Sequence, residues 1–146
     1  RQFDLIDCLD KNVQSGKTLM GICLGMQVLF DKSTEDGEWT GLGYIPGDIV
    51  KFDAPGLKIP HMGWNNLIIN RDDPLVKDIG GEDYVYFVHS YYAQPKSFDD
   101  VVAYADYSVK VPGIVRKENV IGMQFHPEKS SRVGTQLLMN FKENLK

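Results

Sequence analysis

Hydrophobic residues recur with helical spacing at both ends of the chain. Residues 3–13 place their apolar side chains on one helical face, and Gly16 follows where a helix would stop. Residues 132–145 carry an apolar stripe of the same kind. The pattern predicts an amphipathic helix near each end, the second one packed on a sheet.

Between these two segments the pattern becomes mostly extended. Residues 18–23 predict a buried strand, residues 24–30 resume helical spacing, and the polar, glycine-rich stretch 31–47 predicts a loop. Strands flanked by helices, followed by a run of further strands, predict an α/β fold with a mixed sheet and flanking helices. Segments rich in β-branched and aromatic residues predict those further strands at 49–52, 64–69, 84–89, 101–107, 113–116 and 120–125.

Composition favours a single globular domain over residues 1–146. Hydrophobic residues make up 42% of the chain and charged residues 25%, and the net charge of −4 without a Lys/Arg cluster argues against nucleic-acid binding. No apolar run approaches the roughly 20 residues that span a bilayer, so we expect a cytoplasmic protein. Cys8 and Cys23 are expected to be free thiols. The three histidines lie far apart in sequence, and we expect neither a metal nor a cofactor.

The segment Gly21-Ile22-Cys23-Leu24-Gly25 has the form G-x-C-x-G at a predicted strand-to-helix junction. This is the thiol counterpart of a nucleophile elbow, in which a tight turn forces the nucleophile into a cramped backbone conformation. A helix beginning after Cys23 would favour the thiolate, and the Leu24 amide could donate to an oxyanion. A lone cysteine in this setting is more often a small buried hydrophobe, so the motif by itself leaves both interpretations open.

The segment Gln124-Phe125-His126-Pro127-Glu128 follows the last predicted strand. In extended backbone, His126 and Glu128 point to the same side, and Pro127 restricts His126 to that conformation. A carboxylate placed there could hold the tautomer and orientation of an imidazole that serves a thiol. Alone, the motif is equally typical of a surface turn. Together with the elbow it supplies a nucleophile, a base and an orienting acid.

These motifs resemble those of the class I, or triad, glutamine amidotransferases. The resemblance rests on G-I-C-L-G-M-Q around Cys23 and on F-H-P-E at 125–128, and it covers essentially the whole chain. Within that family, P-H-M-G-W-N at 60–65 and Y-F-V-H-S-Y at 86–91 resemble the glutaminase subunits of imidazole glycerol phosphate synthases, from histidine biosynthesis. The resemblance implies a flavodoxin-like mixed sheet and hydrolysis of glutamine to glutamate and ammonia.

The family's chemistry can be carried over to matching residues. The resemblance implies that Cys23 attacks the side-chain amide carbon and forms a γ-glutamyl thioester, that His126 shuttles protons, and that Glu128 orients His126. The matching substrate-binding positions are Leu24, Gly25, Gln27, Ser90 and Tyr91.

The resemblance also implies a partner, a TIM-barrel synthase (cyclase) subunit that receives ammonia across the shared interface. Without the family, Trp64 and Tyr86 could equally be core or edge aromatics, and Lys129 a solvated charge. For His61 and His89 structural or interface roles are favoured over proton transfer. The matching interface positions are Trp64, Asn65, Tyr86 and Lys129.

Members of this family carry further chain before the first helix predicted here, on the order of 50 residues with an opening strand, a helix and a glycine-rich loop that adds an oxyanion-hole amide. We therefore expect a complementary N-terminal piece, either as further chain or as a separate one. We also expect glutaminase activity to be low without the partner.

Two other functions stay open on the sequence. One is the glutaminase domain of a different amidotransferase or a γ-glutamyl hydrolase, which P-H-M-G-W-N argues against. The other is an inactive domain that keeps the triad residues and only binds a partner.

Overall fold

The computed structural model of the chain describes residues 2–35, 37–52, 61–107 and 109–144. Within these ranges the chain forms three α-helices and eleven strands, together with short 3-10 helices at Pro74–Val76, Phe98–Asp100 and Pro127–Lys129. In chain order the elements are α1 (Gln2–Gln14), β1 (Leu19–Ile22), α2 (Leu24–Gln27), β2 (Lys32–Ser33), β3 (Trp39–Thr40), β4 (Gly47–Lys51), β5 (His61–Asn66), β6 (Ile68–Ile69), β7 (Tyr84–His89), β8 (Tyr91–Pro95), β9 (Val101–Asp106), β10 (Lys110–Lys117), β11 (Val120–Met123) and α3 (Ser131–Asn144).

A five-stranded mixed sheet organises the fold, with strand order β1-β11-β10-β9-β6. Strands β1 and β11 run parallel, with Leu19 opposite Val120 and Ile22 opposite Met123. The other pairings in this sheet are antiparallel. The parallel register matters because it brings the carboxyl ends of β1 and β11 side by side, and both candidate motifs begin there.

Two smaller sheets complete the framework. One has the order β3-β2-β4-β8, and the other is the antiparallel pair β5 and β7. In that pair Trp64 lies opposite Tyr86, and Asn65 lies opposite Val85. The prediction of an α/β fold with a mixed sheet and flanking helices is confirmed.

Apolar residues cover both faces of the five-stranded sheet. Ile114 and Ile121 belong to a cluster that includes α3, whereas their neighbours Val115 and Val120 belong to a second cluster that includes α2. Successive strand residues point to opposite faces, so each strand contributes to both clusters. Each large side chain buried in this way stabilises the fold by about 1.5–3 kcal/mol.

Several predicted elements differ in extent from those observed. The helix predicted at 24–30 is a single turn, because backbone N–H groups of Leu42, Gly43 and Ile45 donate to the carbonyl oxygens of residues 28–30. The predicted loop 31–47 contains the two-residue strands β2 and β3, which have no alternating pattern of their own.

Three strand assignments also needed correction. The strand predicted at 64–69 is two strands, β5 and β6, in different sheets. Strand β8 was not predicted at all. Strand β10 begins at Lys110, before the predicted residue 113. Pro60 and Leu145, which belonged to a predicted motif and a predicted helix, lie outside the described residues.

Helix α1 is present as predicted, but much of its apolar face is exposed. Leu5 is 60% exposed and Ile6 37%, while Leu9 and Val13 are half-buried. Two polar contacts hold the helix: Tyr44 donates to the Asp10 carboxylate, and the Asn119 amide donates to the Val13 carbonyl. Among the described residues, no helix is both long and apolar enough to cross a membrane.

Candidate active site

Cys23 occupies a strained turn between β1 and α2. Its backbone angles are φ 55° and ψ −111°, a region that residues other than glycine rarely adopt. The turn is held from both sides, because the Cys23 N–H donates to the Met123 carbonyl at 2.7 Å and the Cys23 carbonyl accepts from Met26 and Gln27 at 3.1 and 3.2 Å. The cramped elbow predicted from the sequence is therefore confirmed.

Two glycines flank the elbow for different reasons. A Cβ atom on Gly21 would lie 2.3 Å from the Gly25 carbonyl oxygen and 2.8 Å from the Met26 nitrogen, so only glycine fits there. A Cβ atom on Gly25 would meet no atom within 4 Å, which leaves open space beside the nucleophile. Gly21 therefore permits the turn, and Gly25 leaves the room that the resemblance assigned to substrate.

The Cys23 thiol is half-buried and has two polar neighbours. Its S–H group faces the Val88 carbonyl oxygen at 4.0 Å, and the Gln124 side-chain amide donates toward the sulfur, also at 4.0 Å. Within the described part of the chain, no hydrogen bond joins the Cys23 sulfur to the His126 ring.

Burial raises the pKa of the Cys23 thiol above its ordinary value of 9.0. The Leu24 backbone N–H lowers this pKa, the charges of Glu128 and Glu35 raise it, and the Lys129 charge lowers it. The expected contribution of the helix start is present, because the Leu24 amide lowers the pKa, but burial of the sulfur outweighs it. Helix α2 is one turn long, and the amide at its start does not offset desolvation of the sulfur.

His126 and Glu128 form the pair that the sequence predicted. The His126 Nδ1 atom lies 2.9 Å from a Glu128 carboxylate oxygen. Desolvation, the largest single influence, raises the pKa of the Glu128 carboxyl group. Hydrogen bonds from the Glu128 backbone N–H and from His126, together with nearby positive charges, lower it by more, so the net pKa is below its ordinary value. With Nδ1 engaged by the carboxylate, the other ring nitrogen is free to serve as a base.

Ser130 fixes the loop that carries this pair, a role that sequence reasoning missed. The buried Ser130 hydroxyl donates to the His126 carbonyl at 2.6 Å and accepts from the Tyr86 N–H at 3.0 Å. The His126 N–H in turn donates to the Tyr86 carbonyl at 3.0 Å. The loop that carries His126 and Glu128 is therefore fastened to strand β7. A serine directly after the F-H-P-E-K run was the available signal.

A cavity of about 250 Å³ opens at the Cys23 sulfur. Of the predicted substrate-binding residues, Leu24, Gln27, Ser90 and Tyr91 line it. Gln27 is almost completely buried and donates through its amide to the Tyr91 carbonyl at 3.2 Å. His89 donates from Nδ1 to the same carbonyl at 2.7 Å, which agrees with the structural role expected for it.

Glu35 also lines this cavity, although no motif in the sequence singled it out. It lies between β2 and β3, in the stretch predicted as a loop. A second cavity of about 290 Å³ shares Leu24, Gln27 and Glu35 with the first and extends toward Lys32 and Trp39. A carboxylate at this place could pair with the ammonium group of an amino acid.

The predicted interface residues divide between the two faces of the β5–β7 pair. Trp64 is 49% exposed and contacts Tyr86 edge to face, with ring centroids 5.7 Å apart. Asn65 is half-buried and points to the opposite face, because strand residues alternate. Lys129 is exposed in the loop that Ser130 fastens to Tyr86. Trp64, Tyr86 and Lys129 thus lie on neighbouring segments.

Neither metal nor disulfide chemistry has support in this part of the molecule. Across residues 2–35, 37–52, 61–107 and 109–144, no group of three His, Cys, Asp or Glu side chains is arranged to hold a metal ion. Cys8 and Cys23 are free thiols, and Cys8 is exposed.

Comparison with known families gives a match over nearly the whole chain. Residues 3–144 match the family described as "Glutamine amidotransferase class-I". Among curated proteins, the chain is 50% identical over 137 residues to "Imidazole glycerol phosphate synthase subunit HisH" of Listeria innocua, covering 92% of this chain and 64% of that protein. It is 52% identical over 147 aligned positions to the protein of the same name from Carboxydothermus hydrogenoformans, covering 99% and 72%. The chain thus spans about two thirds of the length of these relatives.

Solved structures show the same fold at lower identity. "Structure of PurLQS from Thermotoga maritima" matches with a TM-score of 0.73 and 23% identity, covering 97% of this chain and 68% of that one. "Crystal structure of glutamine amidotransferase" matches with a TM-score of 0.70 and 19% identity, covering 97% and 69%. At these identities the likeness concerns the fold alone.

Proposed function

Because the chain belongs to the class-I glutamine amidotransferase family, we propose that it hydrolyses L-glutamine to glutamate and ammonia as the glutaminase part of an imidazole glycerol phosphate synthase. The single observation that carries this proposal is the position of the Cys23 elbow, whose N–H donates to the Met123 carbonyl at the end of β11. The His126–Glu128 pair lies in the loop that directly follows that strand. Relatives of that name at 50% and 52% identity support the choice of pathway.

The proposed chemistry begins with transfer of the Cys23 proton to the free nitrogen of His126. The sulfur then forms a bond to the side-chain amide carbon of glutamine, and the C–N bond breaks as the imidazolium returns its proton to the departing ammonia. Water, deprotonated by the same nitrogen, attacks the γ-glutamyl thioester and releases glutamate and the thiol. Glu128 keeps Nδ1 protonated and the ring oriented throughout.

The cavity residues suggest how glutamine is held. Glu35 is the proposed partner of the α-ammonium group, since it is the carboxylate in the lining and such a pair is charge-assisted. Gln27 fixes the Tyr91 carbonyl and thereby the segment with Ser90. Gly25 leaves space for the substrate.

We further propose that the exposed face with Trp64, Tyr86 and Lys129 binds the synthase (cyclase) subunit, which receives the ammonia. Aromatic side chains that pack on one another at a partly exposed face are typical of an interface. The resting thiol is consistent with low activity of the free chain, since a raised pKa leaves little thiolate at neutral pH. With this function we also propose the cytoplasmic location that was expected from the sequence.

The test is ammonia release from glutamine by the full chain, with and without the cyclase subunit. Substitution Cys23→Ala should abolish release, and the conservative Cys8→Ala, at the exposed thiol, should leave the rate unchanged. Release by Cys23→Ala at the rate of the unmodified chain would refute the enzymatic role and favour a domain that only binds a partner.

The partner is tested separately with Trp64→Ala. Loss of an aromatic at the centre of an interface should raise the Kd for the cyclase subunit about 30-fold. The matched control is Trp39→Ala, which removes another exposed tryptophan on a different sheet. Equal Kd values for Trp64→Ala and the unmodified chain would exclude this face.

A further inference from the structure

A chain of amide groups leads from the substrate cavity to the Cys23 sulfur. The Gln27 side-chain amide donates to the Tyr91 carbonyl and also to the Gln124 side-chain oxygen, each at 3.2 Å. The Gln124 side-chain NH₂ faces the sulfur at 4.0 Å. We propose that Gln124 is a further catalytic residue, whose amide N–H stabilises the Cys23 thiolate. This inference rests on the proposed function, because it assigns Gln124 a part in the same thiol chemistry.

The direction of every hydrogen bond in this chain follows from its first member. A backbone carbonyl can only accept, so the Gln27 group facing Tyr91 must be the NH₂ group. Its second hydrogen then points to Gln124, which must present its oxygen there. The Gln124 NH₂ group is left on the side of the sulfur, so the donor that faces Cys23 is dictated by the network.

Gln124 is also fixed in position by its surroundings. It is fully buried, its backbone N–H donates to the Gly113 carbonyl at 2.9 Å, and it follows directly on β11, whose last residue Met123 pairs with Ile22. A buried amide in a rigid network costs little reorganisation when charge develops beside it. Gln124 can therefore donate to the sulfur without first moving.

The charges around the sulfur make such a donor useful. Glu128 and Glu35 disfavour the thiolate, Lys129 favours it, and the Val88 carbonyl accepts from the thiol form only. Burial of the sulfur, the largest influence on its pKa, also raises it. A neutral N–H donor inside this pocket stabilises the anion without adding a charge that the partly buried site would have to solvate.

The test is the pH profile of Cys23 alkylation by iodoacetamide, measured on the full chain in a Cys8→Ala background so that one thiol reacts. Substitution Gln124→Met, which keeps the volume and removes the donor, should move the midpoint upward by about one pH unit and slow alkylation at neutral pH about tenfold. Gln124→Glu, which keeps an oxygen toward Gln27 and turns another toward the sulfur, should move the midpoint further. The matched control is Gln94→Met at an exposed glutamine, where no shift is expected.

The outcomes separate a catalytic from a structural role. If Gln124→Met and Gln124→Glu fold but keep the midpoint of the unmodified chain, Gln124 only packs and the proposal is overturned. If Gln124→Met does not fold, Gln124→Leu, which also removes the donor without adding a charge, decides by the same measurement. Alkylation does not require glutamine. If the chain fails to hydrolyse glutamine, the proposed function is wrong, but the pH profile of alkylation still shows whether Gln124 stabilises the Cys23 thiolate.

Discussion

Substitution Gly21→Ala tests whether the shape of the elbow positions the nucleophile. The added Cβ would lie 2.3 Å from the Gly25 carbonyl oxygen, whereas real Cβ atoms essentially never come closer than 3.0 Å to such an atom. The first turn of α2 must therefore move by at least the difference, 0.7 Å. That turn carries the Leu24 amide and is hydrogen-bonded to the Cys23 carbonyl, so the sulfur moves with it.

Two measurements follow from that displacement. Overpacking against backbone should lower the free energy of unfolding by about 1–3 kcal/mol, read from urea denaturation. A shift of nearly 1 Å at the nucleophile should lower kcat for ammonia release about 100-fold, read by coupling ammonia to glutamate dehydrogenase. The control is Gly81→Ala, where an added Cβ meets no atom within 4 Å and both quantities should stay unchanged. A kcat for Gly21→Ala within about twofold of the unmodified chain would refute the reasoning.

Three further predictions concern charge and burial. Substitution Asp73→Ala should lower the free energy of unfolding by about 3 kcal/mol, because the Asp73 side chain is 3% exposed and its removal leaves the Arg116 guanidinium, 2.9 Å away, without this carboxylate partner. A loss below about 1 kcal/mol in urea denaturation would contradict this. The pKa of Tyr44 is raised from 10.0 to about 12 by desolvation, by the hydrogen bond to Asp10 and by the negative charge of the Asp10 carboxylate. Because the pKa of Tyr44 is higher in the folded state than in the unfolded state, the stability this contact contributes is present below pH 10 and lost toward pH 12. Ultraviolet titration should show one tyrosine that ionises near pH 12, and Tyr44→Phe should remove that transition. For Cys23, alkylation of the Cys8→Ala chain should have its midpoint above pH 9.0, and a midpoint below that value would show that the thiolate is favoured.

The candidate site could be predicted from sequence because its residues belong to short local motifs. The elbow depends on glycines within two positions of Cys23, and the His126–Glu128 pair depends on the i, i+2 geometry of extended backbone. Local geometry of this kind is specified by adjacent residues. The strained φ of Cys23 and the 2.9 Å pair were both found where these motifs placed them.

The parts that sequence reasoning missed depend on contacts between distant segments. Glu35 lies in a polar stretch whose short strands form through pairing of β2 with both β3 and β4. The Gln124 amide faces the sulfur because β1 and β11 are parallel neighbours, a pairing that no local pattern specifies. The raised pKa of Cys23 could not be predicted, because burial, a property of the whole fold, outweighs the lowering by the Leu24 amide at the helix start.

The end of β11 ties the candidate site to the interior of the five-stranded sheet. This strand has β1 on one side and β10 on the other, and its Met123 carbonyl receives the Cys23 amide proton while the next amide, of Gln124, is paired with Gly113. Amide hydrogens in interior strands exchange with solvent more slowly than those at frayed ends. We therefore expect the amides of Cys23 and Gln124 to be protected together, so that isotope exchange at both would report the loss of the arrangement that brings Cys23 close to the His126 loop.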